Sequence, residues 1–225
     1  MRTWRLPLAA AAVALALTVA SAAGGKLPRS LYLEVRSTDS GASGKVTSTL
    51  KFWTTAQSSR LDISHPLSGD QRFLVFKGYA YMVVPKAKAA IKTLLPPELR
   101  VGAKGDIERM IHALPGIPDK NAKLPPKVRE ETLLGYKCDV LEVKASRNGQ
   151  TRRVTLWMPQ TLRPRIPLKI VETQIIQKKG VNLRESRELE VTKIKLNVPV
   201  TQALFQVPKG YKVTLKKPPK RPRRK

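Results

Sequence analysis

Leu31, Leu33 and Val35 alternate with Tyr32, Glu34 and Arg36. In the next run Val46, Ser48, Leu50 and Phe52 alternate with Lys45, Thr47, Thr49 and Lys51. Successive side chains of a strand point to opposite faces, so each run reads as a strand with one apolar and one polar side, the pattern of an antiparallel sheet solvated on one face. Residues 37–44, Ser-Thr-Asp-Ser-Gly-Ala-Ser-Gly, read as a flexible hairpin loop between them. Shorter strands are predicted at 60–63, 72–77, 80–85 and 89–94. Lys77-Gly78 makes a tight turn in which glycine is free to take positive φ.

The texture changes between residues 95 and 127. Pro96, Pro97, Pro115, Pro118, Pro125 and Pro126 bracket a segment in which Ile107, Met110, Ile111 and Leu114 recur at i, i+3, i+4 and i+7, one apolar stripe. Asp106 is placed to cap this helix and Leu114-Pro115-Gly116 to stop it. A short amphipathic helix is thus inserted between two halves of a sheet, either as a lid or as a plug in the core. Strands resume at 130–134, 137–144 and 151–158, the last two joined through Ser146-Arg147-Asn148-Gly149, whose Asn-Gly is a strong hairpin signal. Further strands are expected at 168–177 and 183–196 about the turn Lys178-Lys179-Gly180. A single helical turn at 201–205 and Pro208-Lys209-Gly210-Tyr211 then close the domain. This pattern predicts a mainly β (α+β) fold, a curved antiparallel sheet forming an incomplete β-barrel with an inserted amphipathic lid or plug helix.

Ahead of the strands, Arg2 and Arg5 precede an apolar run over residues 6–19 and the small-residue triplet Ala20-Ser21-Ala22, the layout of a signal peptide cleaved after residue 22. The run is shorter than the roughly 20 residues a membrane helix needs. No Cys lies near the cut, so the expected mature form is soluble, without a lipid anchor, and periplasmic or secreted. Residues 23–213 form one domain and 214–225 a basic, proline-rich tail. Removing residues 1–22 takes the formal charge only from +27 to +25, and nine basic residues lie between Lys209 and Lys225 with no acid among them. Outside the cytoplasm the abundant anionic surfaces are phospholipid head groups, lipopolysaccharide phosphates and cell-wall polymers. Nucleic acid would satisfy the same charge, but an exported chain rarely meets it. Lys216, Lys217, Lys220, Arg221, Arg223, Arg224 and Lys225, interleaved with prolines, are too polar to build a core and are expected to be a disordered or extended segment that meets an anionic membrane or envelope surface.

Catalytic signatures are missing. The sequence holds no Gly-x-Ser-x-Gly, no His-Glu-x-x-His, no phosphate loop and no Cys-His cluster. His65 lies in a Ser-His-Pro turn and His112 flanks the stripe of the inserted helix. With Cys138 as the only cysteine, neither a zinc site nor a disulfide is expected. Cys138 reads as a small buried strand residue, with a reactive thiol as the alternative. Asp139 and Glu142 fall on opposite faces of their strand, so they form no catalytic pair. These readings argue against an enzyme and against a cofactor. Apolar surface and positive charge remain. The positions expected to line the concave side are Leu33, Val35, Leu50, Phe52, Val75, Val154 and Leu156, with Ile107, Met110 and Ile111 covering them from the helix. An incompletely filled concavity would take an acyl chain; a filled one would make the protein a structural or adaptor component held by its charge.

In the C-terminal half the order Gly135-Tyr136-Lys137-Cys138-Asp139-Val140-Leu141-Glu142-Val143, Val154-Thr155-Leu156-Trp157-Met158, Pro167-Leu168-Lys169 and Leu204-Phe205-Gln206-Val207-Pro208-Lys209-Gly210-Tyr211 resembles the LolA/LolB-like superfamily of periplasmic lipoprotein carriers and receptors, including its outer-membrane lipoprotein-sorting-like branches. The resemblance covers roughly residues 30–213. It implies an incomplete antiparallel barrel with a helical lid over a hydrophobic cavity that takes the acyl chains of a lipid or lipoprotein. Arg60 and Arg72 are the positional candidates for the barrel-to-lid arginine of such carriers. The basic tail lies outside what the resemblance implies.

Overall fold

The computed structural model describes residues 28–42, 44–55, 57–95, 125–147, 150–162, 166–178 and 181–216. In them the chain forms strands β1 (Ser30–Gly41), β2 (Gly44–Thr55), β3 (Ser58–His65), β4 (Gly69–Phe76), β5 (Tyr79–Val84), β6 (Ala89–Leu94), β7 (Lys127–Leu133), β8 (Tyr136–Arg147), β9 (Gln150–Pro159), β10 (Lys169–Lys178), β11 (Val181–Leu196) and β12 (Lys212–Lys216). All belong to one curved sheet in the order β12-β6-β5-β4-β3-β2-β1-β11-β10-β9-β8-β7, which does not close into a barrel. The fold is therefore mainly β, as the alternation predicted. The expected helix over 107–114, with Ile107, Met110 and Ile111, and the signal segment 1–22 lie outside the described residues.

Two meanders, β1–β6 and β7–β11, meet where β11 pairs with β1. The first and the last long strands of the domain thus form its centre. A bulge between Glu34 and Val35 in this pairing sets Leu33 opposite Ile194 but Val35 opposite Val191, keeping apolar residues on the same side of the irregularity.

Two segments differ from the expectation. The loop over 37–44 is mostly strand, since β1 and β2 pair continuously from Ser30↔Thr55 to Gly41↔Gly44. Thr38 faces Thr47 and Asp39 faces Arg187 across the strands, partners that local composition does not reveal. Next, residues 214–216, expected in the tail, belong to β12, which runs parallel to β6 at the sheet edge. Val213 and Leu215 alternate there with lysines, and the pattern is short enough to pass for tail. The turn at Lys77-Gly78 forms as predicted, with φ of 48° and 76°, and Leu134-Gly135 repeats it at 51° and 78°.

The main buried cluster joins Leu31, Leu33, Val35, Leu50, Phe52, Leu61 and Ile63 to Cys138, Val140, Trp157, Ile170, Leu189 and Val191. Leu162, Ile166 and Leu168 from the β9–β10 connection complete it. The backbone of Leu168 donates to Trp157 O at 2.9 Å and accepts from Val191 N at 2.8 Å, which ties that connection into the centre. Truncating Leu33 or Leu50, both at 0% exposure, to Ala would cost about 2–5 kcal/mol.

Candidate functional site

Residues opposite one another in adjacent strands share a face. From Phe52 the register reaches Leu33 and Ile194 on one side, and Leu61, Phe73, Met82 and Ile91 on the other. One apolar side chain from each of seven adjacent strands, β11 to β6, therefore lies in a row without a polar interruption. At about 4.8 Å per strand the row is roughly 29 Å long. A second row, Val191, Val35, Leu50 and Ile63, runs beside it, and Leu189, Ile170, Leu156 and Leu141 continue the face across β11 to β8. The centre of the face is buried, whereas Met82 is half-buried and Ile91 is 37% exposed at the β6 end.

All seven positions predicted to line the concave side lie on this face. Leu33, Val35, Leu50 and Phe52 sit in its buried centre, and Leu156 packs on the same cluster. Val75 lies opposite Ser59, beside the main rows. Val154 lies where the face turns polar, opposite Glu172 and Val143.

That change of polarity runs along the strands. On this face β1 reads Leu31, Leu33, Val35, Ser37 and Asp39, and β10 reads Ile170, Glu172 and Gln174. Arg187 on β11 donates to Asp39 at 2.6 Å, and Arg152 on β9 pairs with Glu172 at 2.7 Å. Ser37 stands at the boundary, 1% exposed, and its hydroxyl has no hydrogen-bond partner. A hydrocarbon-lined region thus adjoins an ion-paired one on a single sheet face, with an unpartnered hydroxyl between them.

The opposite face is engaged by the protein itself. The rings of Tyr32 and Trp53 pack tilted against each other with centroids 5.0 Å apart, and the Arg60 guanidinium lies 5.2 Å from the Trp53 ring centroid. Arg60 and Arg72 both bind the Asp62 carboxylate, and Arg60 also donates to the Leu204 carbonyl at 3.2 Å. Val207 and Tyr211 pack on Leu74, Val83 and Ala90. Together these contacts lay the segment after β11 across β3–β6. Burial pushes the Tyr32 phenol above its ordinary range, helped by its hydrogen bond to Glu34. Arg60 and Arg72, the positional candidates for a contact with the inserted helix, thus sit on the face away from Leu33 and Phe52, paired to Asp62. Arg60 holds the closing segment.

The other chemistry-bearing residues have local roles. Cys138 is fully buried, donates to the Tyr136 carbonyl at 3.4 Å, and has its thiol pushed up by burial, the bland alternative of the two raised above. His65 Nδ1 accepts from the backbone N–H groups of Leu67 and Ser68, closing its own turn. Asp139 accepts from Gln160 at 2.8 Å. It shares a face with Leu141, whereas Glu142 lies on the other. Among the described residues no group of three or more His, Cys, Asp or Glu could hold a metal ion. His112 and Lys217, Lys220, Arg221, Arg223, Arg224 and Lys225 lie outside the described residues; Lys216 ends β12.

Sequence reasoning missed much of this face. Leu61, Ile63, Phe73, Met82, Ile91, Leu189 and Ile170 were on predicted strands, and their alternation was readable, but only pairing order shows that they continue the Leu33–Phe52 row. Nothing in the sequence singled out Ser37.

No family model matches the chain, and no curated protein matches it. Solved structures do. An uncharacterized conserved protein from Thermus thermophilus is 13% identical over 82% of this chain and 91% of that one, with a TM-score of 0.45. A putative outer membrane lipoprotein-sorting protein domain from Vibrio parahaemolyticus is 11% identical over 78% and 88%, TM-score 0.33. The lipoprotein LppX of Mycobacterium tuberculosis is 14% identical over 77% and 89%, TM-score 0.40. The last two share the LolA/LolB-like fold, the one the C-terminal motifs resemble. At these identities and TM-scores the likeness carries no argument about this chain's ligand or role.

Proposed function

We propose that this protein is a non-catalytic binder or carrier, in the cell envelope, of an acyl-bearing amphiphile such as a lipid or the acyl chains of a lipoprotein. The observation that carries the reading is the single sheet face that is hydrocarbon-lined across seven strands and ion-paired at one end. An amphiphile has the same two parts. Half the roughly 30 Å hydrocarbon thickness of a bilayer is one acyl chain, about 15 Å, so a row of roughly 29 Å has ample length. Ten buried methylenes would contribute about 8 kcal/mol before the cost of ordering. The Ser37 hydroxyl and the Asp39–Arg187 and Arg152–Glu172 pairs would then face the ester and head group. The export signal and the basic charge support a ligand met outside the cytoplasm, with no cofactor or metal needed.

The test is titration of the mature, delipidated protein with a fluorescent fatty acid. Micromolar binding is expected, and it should be lost on Met82→Glu and on Ile91→Glu, which charge the less buried end of the row without touching its centre. The full burial of Leu33 and Leu50 favours one rival, a filled core in a structural or adaptor protein. No binding by the wild type at micromolar probe would leave that rival standing.

A further inference from the structure

The acidic residues of this chain are unevenly placed. From Gln71 to Leu95 there is none, and from Val191 to Lys216 there is none. These two stretches build one wing of the sheet, most of β4, β5 and β6 together with the closing segment and β12. Arg72 pairs with Asp62 of β3, but Lys77, Lys86, Lys88, Lys92, Lys209, Lys212 and Lys216 have no acidic partner among the described residues. Elsewhere the basic residues commonly do, as in Arg36–Glu190, Arg153–Glu142 and Lys169–Glu188.

The same wing exposes apolar and aromatic side chains. On the face away from the Leu33 row, Leu94 is 38%, Val213 47% and Leu215 58% exposed. Tyr79 lies opposite Leu94, and Leu215 opposite Lys92. The Lys92 ammonium sits 3.8 Å from the Tyr79 ring centroid and 5.8 Å from that of Tyr81, and Lys77 sits 5.3 Å from Phe76. Leu95 N donates to Gly78 O at 3.1 Å, so the Lys77-Gly78 turn and the β6 end where Leu215 and Lys216 pair lie together. Beyond Lys216 the chain carries six further basic residues and no acid, and it departs from this end of the wing.

We propose that the β5–β6–β12 wing is the surface on which this protein docks to an anionic phospholipid bilayer. Tyrosines with an apolar body and a polar tip suit the head-group level. Leucines suit the first layer of acyl carbons, and lysines without acidic partners suit phosphates. A polyanion recognised by charge alone would leave the exposed Leu94, Val213 and Leu215 without a role. Lys92, Leu94, Val213 and Leu215 lie on the face opposite the proposed acyl row, while Lys212 and Lys216 flank them from the other side of edge strand β12. Vesicle binding and fatty-acid titration are separate readouts, so failure of one leaves the other reading in place.

The test compares binding of the mature full-length chain to vesicles of phosphatidylcholine with and without phosphatidylglycerol. Lys92→Glu/Lys212→Glu/Lys216→Glu should weaken binding to the anionic vesicles by more than roughly tenfold. Lys51→Glu/Lys144→Glu/Lys193→Glu, with the same net charge on β2, β8 and β11, should weaken it less than about threefold. Leu94→Ser/Leu215→Ser should remove the part of binding that survives high salt, and circular dichroism should show all variants folded. Equal loss in the two triple variants would mean that binding follows net charge, and the proposal falls. It falls equally if the wild type ignores anionic vesicles, or if polyglutamate binds as tightly as they do and the leucine variant changes nothing.

Discussion

Ser37 carries a buried hydroxyl without a hydrogen-bond partner, on the boundary between the hydrocarbon and ion-paired parts of the apolar face. Such a group costs stability unless something bonds it. Ser37→Ala should therefore stabilise the lipid-free protein by about 1 kcal/mol in urea unfolding. The same variant should bind an esterified acyl probe more weakly than the wild type does. Destabilisation by Ser37→Ala would show that the hydroxyl is already satisfied within the fold. The sequence hides this residue, because Ser37 opens a run of Ser, Thr, Asp and Gly with the composition of a loop. Leu33, Val35, Leu50 and Phe52 were legible because alternation depends only on the two-residue period of a strand, and large apolar residues mark the buried side. Arg60, a candidate only by its position in the resemblance, is held by Asp62 and donates to the Leu204 carbonyl, contacts that its neighbours in sequence do not announce.

Among the elements, edge strand β7 is fastened mainly by charge. Lys127 reaches both Glu130 and Asp139, Lys137 pairs with Glu130 at 2.6 Å, and Glu131 accepts from Arg129 and from the Trp157 indole, each at 2.6 Å. Hydrogen bonds from Lys127 and Lys137 hold Glu130 down to about 2, those from Trp157 and Arg129 lower Glu131, and those from Gln160 and Lys127 lower Asp139. Depressed carboxylates stabilise the folded state above their ordinary values and lose that contribution as pH falls through the folded ones. Amide protection in β7, corrected for intrinsic exchange, should hold from neutral pH to about 4 and fall toward about 2, while β1 and β11 stay protected. Simultaneous loss in all three would show that β7 is not a separately fastened element. At the other edge, a chain ending at Lys216 should melt within error of the full chain. A chain ending at Tyr211 should melt lower by about 2–4 °C, the shift expected for 1 kcal/mol at this size. Equal melting of the two would mean that β12 adds nothing to β6. Most strands could be read to within a few residues, but β12 could not. Its two apolar residues, Val213 and Leu215, set among lysines and a threonine, look like tail until pairing with β6 is known. Sheet order was also beyond local pattern, since β1 and β11 are far apart in sequence.

For the whole molecule, the two faces and the two wings divide the work. The closing segment covers part of one face of β3–β6, the other face carries the apolar row, and lysines without an acidic partner among the described residues gather on the wing that ends in β12. An envelope component built this way would meet its membrane with one surface and hold a lipid tail on another. Composition made the charge legible from sequence, while the compartment expected from residues 1–22 rests on their pattern alone. The segregation of acids away from one wing was written there as well, but it became a surface only when the sheet placed residues 71–95 beside 212–216. The central claim, that the apolar face receives an acyl chain, is tested most directly by photo-crosslinking a diazirine fatty acid to the delipidated mature protein and mapping the labelled residues by mass spectrometry. The account predicts label on Phe73, Met82 and Ile91 and their neighbours in the row, competed away by unlabelled fatty acid. Absence of specific label, or label confined to the opposite face, would contradict it.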